Sequence, residues 1–318
     1  MNILDSNLDE FLQYIESQHS PNTKLAYRTG LRKFGEYLKD SHSAVTIDVV
    51  TAFASWLNDR VKHDTKANYL IAVGLFYRWC VGKRILNFDT AEMEQLREFL
   101  KSAAKRTEHL PRLPDDEMID ALCHAARSVE VTPSKNTDTN RRNELERLRN
   151  IALIESLRSS GMRVGELVGL RIGDVDRTNH SARVTGKGDK QRNVFFNGEA
   201  WSALIDYWNA RGTLNTETTP VFSRHNAMTS RRLIALPITT DTVRDVLKSL
   251  CEIAKLDVAV TPHWLRHWFA TKVLESTDNL AIVQDMLGHS SPATTRIYAK
   301  VSLAKMRAAH RKTFEKSG

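Results

Sequence analysis

Val175-Asp176-Arg177-Thr178-Asn179-His180-Ser181-Ala182-Arg183-Val184-Thr185-Gly186-Lys187-Gly188-Asp189-Lys190-Gln191-Arg192-Asn193-Val194-Phe195-Phe196 is the stretch in which the hydrophobic period changes. Val175, Ala182, Val184, Val194 and Phe196 fall in short segments. The turn-forming runs Arg177-Thr178-Asn179-His180 and Gly186-Lys187-Gly188-Asp189 separate them. This pattern predicts three short antiparallel strands. On either side the apolar residues recur at helical spacing. The expected fold class is therefore mainly α with a small three-stranded antiparallel sheet, an α+β chain.

Working outward, the N-terminal region reads as five helices. Asn7-Leu8-Asp9-Glu10 opens the first, with Leu8, Phe11, Leu12 and Ile15 in its apolar row. Ser20-Pro21-Asn22-Thr23 precedes the second, in which Leu25, Leu31, Phe34 and Leu38 are expected on one face and Lys24, Arg28, Arg32 and Lys33 outside it. Val45 to Leu57, Lys66 to Cys80 and Ala91 to Leu100 supply the other three. Residues 101–114 are basic, contain two prolines and show no sustained period. This predicts domains at 1–105 and 115–318 with a linker at 106–114. In the second domain Pro114-Asp115-Asp116-Glu117 starts a helix. The polar residues 131–147 read as an exposed loop, and a helix from about Glu144 to Ser159 follows. Beyond the strands, helices are expected at Glu199 to Arg211, Thr240 to Ala254, Trp264 to Leu274, Asn279 to Leu287 and 302–315.

The chain has 318 residues, 41% of them hydrophobic and 26% charged, as in a folded water-soluble protein. No run approaches the ~20 apolar residues of a membrane helix, and the acidic N-terminus does not read as a secretory signal. Cys80, Cys123 and Cys251 lie far apart and form no CxxC pair, which points to a reducing cytoplasm and away from a disulfide framework or cysteine-rich zinc site. The net charge of +8 favours a polyanionic partner. It is concentrated after residue 105. Residues 1–105 carry 14 basic and 13 acidic side chains, whereas residues 106–318 carry 32 and 25.

Four short stretches carry chemistry. In Ser160-Gly161-Met162-Arg163-Val164-Gly165-Glu166-Leu167, a glycine ends one helix and leaves Arg163 at a turn, with Glu166 three residues on to hold its guanidinium. In the hairpin Thr185-Gly186-Lys187-Gly188-Asp189-Lys190-Gln191-Arg192, glycines on each side of Lys187 allow a phosphate backbone to come close. Its spacing is not that of a Walker loop. In Thr261-Pro262-His263-Trp264-Leu265-Arg266-His267, His263 and Arg266 share one helical face, a pairing suited to an anionic oxygen. In the fourth, Leu287-Gly288-His289 is followed nine residues after the histidine by Tyr298. Each alone has an ordinary reading as surface ion pair, polar hairpin or packed aromatic. Together they supply two Arg, one Lys, two His and one Tyr, with no carboxylate cluster and no metal-ligand spacing. That set suits attack by a tyrosine on a phosphodiester. Two Arg and a His would hold the non-bridging oxygens, Lys would protonate the leaving oxygen, and a His would assist deprotonation of the phenol.

The order Arg…Lys…His-x-x-Arg…His…Tyr, in the contexts LxxSGMRVGEL, GKGxKxR, HxLRH and LGHxxxxxTxxY, resembles the tyrosine recombinases of the phage integrase family, particularly compact Xer-like members. The resemblance covers residues 115–310 well. Ser20-Pro21-Asn22-Thr23-x-x-x-Tyr27 resembles the family's helical core-binding domain. It implies a catalytic set of Arg163, Lys187, His263, Arg266 and His289 with Tyr298 as nucleophile, Glu166 in support and no cofactor or metal. It also implies DNA contacts at Lys24, Tyr27, Arg28, Arg32, Lys66, Lys190 and Arg192, and two domains that close as a clamp around duplex DNA. The expected partner is duplex DNA with an inverted-repeat site. Self-association into a tetramer on DNA, through the C-terminal helix, and a partner recombinase or accessory protein complete the implied assembly. Three departures are small: Trp268 replaces a small polar residue, Ala299-Lys300 follows the tyrosine, and the 131–147 segment is long. A type IB topoisomerase and a non-catalytic DNA-binding regulator on the same fold remain alternatives.

Overall fold

The structure is a computed structural model that describes residues 3–18, 21–41, 46–104, 115–186, 190–212, 216–225 and 235–288. The chain forms two compact units, residues 1–109 and 110–318.

The first unit is built from α1 (Ile3–Gln18), α2 (Pro21–Ser41), α3 (Ile47–Trp56), α4 (His63–Gly82) and α5 (Thr90–Ala103). Phe11, Ile15, Leu31, Phe34, Phe53, Leu70, Val73 and Phe76 form its buried core. Two details differ from the sequence reading. α1 begins four residues before Asn7, whose Nδ2 donates to the Ile3 carbonyl at 2.8 Å within the helix instead of capping a new one. Leu25 is 61% exposed. It precedes Leu31 by six residues, which at about 100° each places it two-thirds of a turn away from the buried row. Tyr27, one helical turn before Leu31, packs against the core in its place.

The second unit contains α6 (Asp116–Ser128), α7 (Thr137–Ser160), α8 (Val164–Gly169), β1 (Val175–Asp176), β2 (Ser181–Thr185), β3 (Gln191–Phe195), α9 (Gly198–Arg211), α10 (Thr240–Ile253), α11 (Pro262–Thr277) and α12 (Leu280–Leu287). The strands form an antiparallel sheet in the order β1-β2-β3. Ala182 pairs with Val194 and Val184 with Arg192. Opposed residues share a face, so Arg192 lies on the side of the sheet that buries Val184 and Val194. α7 corrects the expected 131–147 loop: the helix starts at Thr137, because Asn136 Oδ1 accepts the backbone N–H groups of Asp138 and Thr139 at 2.9 and 3.2 Å. Its first turns are polar because water covers them. α11 starts two residues before Trp264, with Pro262 in the first turn and Thr261 capping the Trp264 N–H at 3.3 Å. The three cysteines are buried and free. Among the described residues no helix is long and apolar enough to cross a membrane. The C-terminal helix expected at 302–315 lies outside the described residues.

Candidate active site

The site starts where α7 ends. Gly161 takes the left-handed conformation (φ 58°), and its N–H donates to the Leu157 carbonyl at 3.2 Å. A Cβ there would fall 2.2 Å from the Phe269 ring of α11, so both conformation and packing require glycine. Two residues later Arg163, in an extended conformation, directly precedes α8. Glu166 Oε2 accepts the Arg163 backbone N–H at 2.7 Å, and Oε1 accepts its Nη1 at 2.9 Å. The guanidinium, 40% exposed, is thereby held at the turn.

α11 brings the second arginine. Arg266 is 4% exposed. Its Nη1 donates to the Gly161 carbonyl at 2.7 Å, and its Nη2 to the Leu287 carbonyl at 2.6 Å. Both acceptors lie at helix C-termini, the ends of α7 and α12, where the partial negative charge of the macrodipole compensates a buried cation. His263, one turn before Arg266, opens to the surface and packs edge-to-face on His267 at 4.2 Å between centroids. Partial burial, and then the charges of Arg266 and Arg163, push the His263 imidazole below its ordinary pKa of 6.5. Its neutral form dominates at pH 7, where it can take up a proton.

The sheet brings a third arginine. Arg192 Nη1 and Nη2 donate to the two oxygens of Glu166, each at 2.8 Å, and its Nε donates to the Met286 carbonyl at 2.9 Å. Arg163 Nη2 reaches the Gly288 carbonyl at 3.4 Å. Three consecutive carbonyls at the end of α12, those of residues 286, 287 and 288, thus accept from Arg192, Arg266 and Arg163. Burial alone would raise the Glu166 carboxyl, but its bonds from Arg192 and Arg163 outweigh this and hold it below the usual range. Gly186, where the β2–β3 turn begins, lies against the same pair: a Cβ there would be 3.6 Å from Glu166 Oε1 and 3.7 Å from Arg163 Nη1.

Arg163, Glu166, His263 and Arg266 are therefore brought together, and Arg192 joins them instead of facing outward beside the exposed Lys190. Lys187, His289 and Tyr298 lie outside the described residues. Gly186 and Gly288, the chain neighbours of Lys187 and His289, border the site. In the first unit, Arg28 and Arg32 are exposed, Lys24 pairs with Glu16, and Lys66 donates to Asn58 Oδ1 at 2.6 Å. Tyr27 is half-buried, and burial raises its phenol pKa. The sequence reading put Arg192 in the GKGxKxR stretch and among the DNA contacts; the structure pairs it with Glu166 inside the site. The signal was present in the alternation Arg192-Val194-Phe196, which places all three side chains on one face of the strand.

Residues 134–305 match the sequence profile of the phage integrase family, and residues 8–84 match that of the phage integrase N-terminal SAM-like domain. Tyrosine recombinase XerC of Pediococcus pentosaceus is 31% identical over 318 residues, covering 96% of this chain and 97% of the relative. Tyrosine recombinase XerC of Mycobacterium tuberculosis is 33% identical over 313 residues, covering 95% and 96%. The fold is similar to that of the XerH site-specific recombinase bound to its difH substrate, with a TM-score of 0.70 at 22% identity over 98% of this chain and 84% of that one. With a family profile over more than half its length and relatives over nearly all of it, the chain belongs to the phage integrase family of tyrosine recombinases.

Proposed function

We propose that this protein is a site-specific DNA recombinase that cuts and rejoins duplex DNA through a 3′-phosphotyrosyl intermediate, without metal or ATP. The observation that carries the reading is the convergence of Arg163 and Arg266 on the last carbonyls of α12, close enough to His263 for their charges to act on its imidazole. The two arginines come from separate parts of the sequence and meet at Leu287 and Gly288, directly before His289 and, nine residues later, Tyr298. Glu166 takes up part of this charge and leaves a cationic site suited to a phosphodiester.

In the proposed reaction Tyr298 Oη attacks phosphorus and the P–O5′ bond breaks. The phenolic proton passes to His263, whose depressed pKa favours the neutral acceptor. Lys187 gives a proton to the departing 5′ oxygen. Arg163, Arg266 and His289 stabilise the charge on the non-bridging oxygens. A 5′-hydroxyl from the partner duplex then attacks the phosphotyrosine and restores both the phosphodiester and the phenol. The covalent link conserves the bond energy, so strand exchange needs no nucleotide hydrolysis.

On this reading residues 1–105 and 115–318, joined by 106–114, close around the duplex. Lys24, Tyr27, Arg28, Arg32, Lys66 and Lys190 reach DNA, and protomers assemble as a tetramer on paired inverted-repeat sites. The free buried cysteines suit a reducing cytoplasm. The test is to incubate the protein with a pool of nicked random duplexes and recover DNA that stays attached in detergent. A shared inverted-repeat sequence among the recovered duplexes, and recombination between two copies on a plasmid, is the expected result. Recovery without any shared sequence, with relaxation of plasmids lacking a site, contradicts site-specific recombination.

A further inference from the structure

We propose that Arg192 is a positioning residue for this reaction, holding the end of α12 in register with the Arg163 turn and the β2–β3 hairpin; this rests on the strand-transfer reading above. Its side chain is 10% exposed and makes three directed bonds, two to Glu166 and one to the Met286 carbonyl. Glu166 in turn holds Arg163 by backbone and side chain. One planar guanidinium therefore fixes the separation between the carboxylate that sets Arg163 and the carbonyl that begins the approach to His289 and Tyr298. Because the fork bonds both carboxylate oxygens and the carbonyl at once, an ammonium cannot replace it.

The backbone at the end of α12 is shaped around this side chain. Gly288 sits at φ 63°, and a Cβ there would lie 3.0 Å from Arg192 Cδ and 3.3 Å from Nη1. Arg192 also stands on β3, which the hairpin connects to Lys187 five residues earlier. Among the described residues its side chain thus ties the strand after Lys187, the Arg163 turn and the end of α12. The Arg192 side chain is 10% exposed against 40% for Arg163, and its Nε, Nη1 and Nη2 are all engaged, which separates this role from the direct DNA contact expected of Arg192 from sequence.

The experiment compares wild type, Arg192→Lys, Arg192→Gln and Gly288→Ala on a nicked duplex carrying the site recovered above. Binding is read by gel shift over a range of salt, and the first-turnover rate of covalent adduct formation is read at saturating protein. Both Arg192 variants are expected to form adduct about 100-fold more slowly, as for a misplacement of about 1 Å, with DNA affinity and its salt slope unchanged. The lysine gives no rescue. Gly288→Ala, which keeps every charge and displaces the Arg192 stem, shows the same split and supplies the answer should the Arg192 variants fail to fold. Normal adduct rates in Arg192→Lys, or weaker binding with a salt slope lower by about one and an unchanged rate once bound, overturn the proposal. Wild-type protein that forms no adduct at all overturns the strand-transfer reading itself, and this proposal with it.

Discussion

Arg163 and Arg266 serve the same phosphate in the proposed reaction, yet the fold holds them differently. Arg266 is buried and bonds two helix-terminal carbonyls, whereas Arg163 is 40% exposed. Hydrogen bonds involving a charged group contribute roughly 1.5–3 kcal/mol each. Without DNA, Arg266→Ala should lower the unfolding free energy by roughly 3 kcal/mol and Arg163→Ala by less, because the buried Glu166 keeps both bonds from Arg192. Urea denaturation checks the contrast, and equal losses would contradict the capping role of Arg266. His263 gives a pH test. Its folded pKa is below the ordinary 6.5, so protonation favours the unfolded chain. As pH falls from 7 through 6.5 and toward the folded value, wild type should lose stability that His263→Gln keeps, and above pH 7 the two should run in parallel. Thermal midpoints between pH 5 and 8 supply the comparison. At this scale the sequence was legible wherever spacing alone brings groups together, as with Arg163 and Glu166 at i,i+3 or His263 and Arg266. The pairing of Arg192 with Glu166 spans 26 positions and depends on how the sheet packs on α8 and α12, which no local spacing records.

Elements were legible where the period was strong. The three strands and the turn at 177–180 follow from the alternation at 175–196, and α9, α10 and α12 start and end within a residue or so of their signals. Two differences have plain physical reasons: a polar run can be helical where it faces water, and an apolar residue can sit on an exposed face. α7 begins among polar residues that water satisfies, and the cap that marks its start, Asn136, is one of several turn-formers in the same run. Leu25 is an exposed leucine on a helix whose buried row passes through Leu31, Phe34 and Leu38. Leu31→Ala should therefore cost about 2–5 kcal/mol through the cavity it leaves, while Leu25→Ala should stay within about 0.5 kcal/mol of wild type. Equal midpoint shifts in denaturant would show that the buried face of α2 has been misassigned.

At the scale of the whole molecule, the basic excess falls on the part of the chain that carries the candidate active site. The proposed assembly makes a further claim. Were residues 302–315 helical, as their sequence spacing predicts, Leu303, Met306, Ala309 and Phe314 would fall roughly along one side and Lys305, Arg307, Arg311 and Lys312 elsewhere. If this tail joins protomers on DNA, truncation after Ala299 should leave binding to a single half-site nearly intact and reduce cooperative filling of a two-arm site. Gel shifts on one-arm and two-arm duplexes measure both, and unchanged cooperativity would remove the tail from the assembly. The central claim, that a tyrosine of this chain becomes covalently joined to DNA, is tested most directly at Tyr298. Wild type and Tyr298→Phe are each mixed with the recovered nicked duplex, denatured in detergent and examined for protein-linked DNA. The account predicts an adduct for wild type that maps to Tyr298, and none for Tyr298→Phe at equal DNA binding. An adduct of undiminished yield in Tyr298→Phe would contradict it.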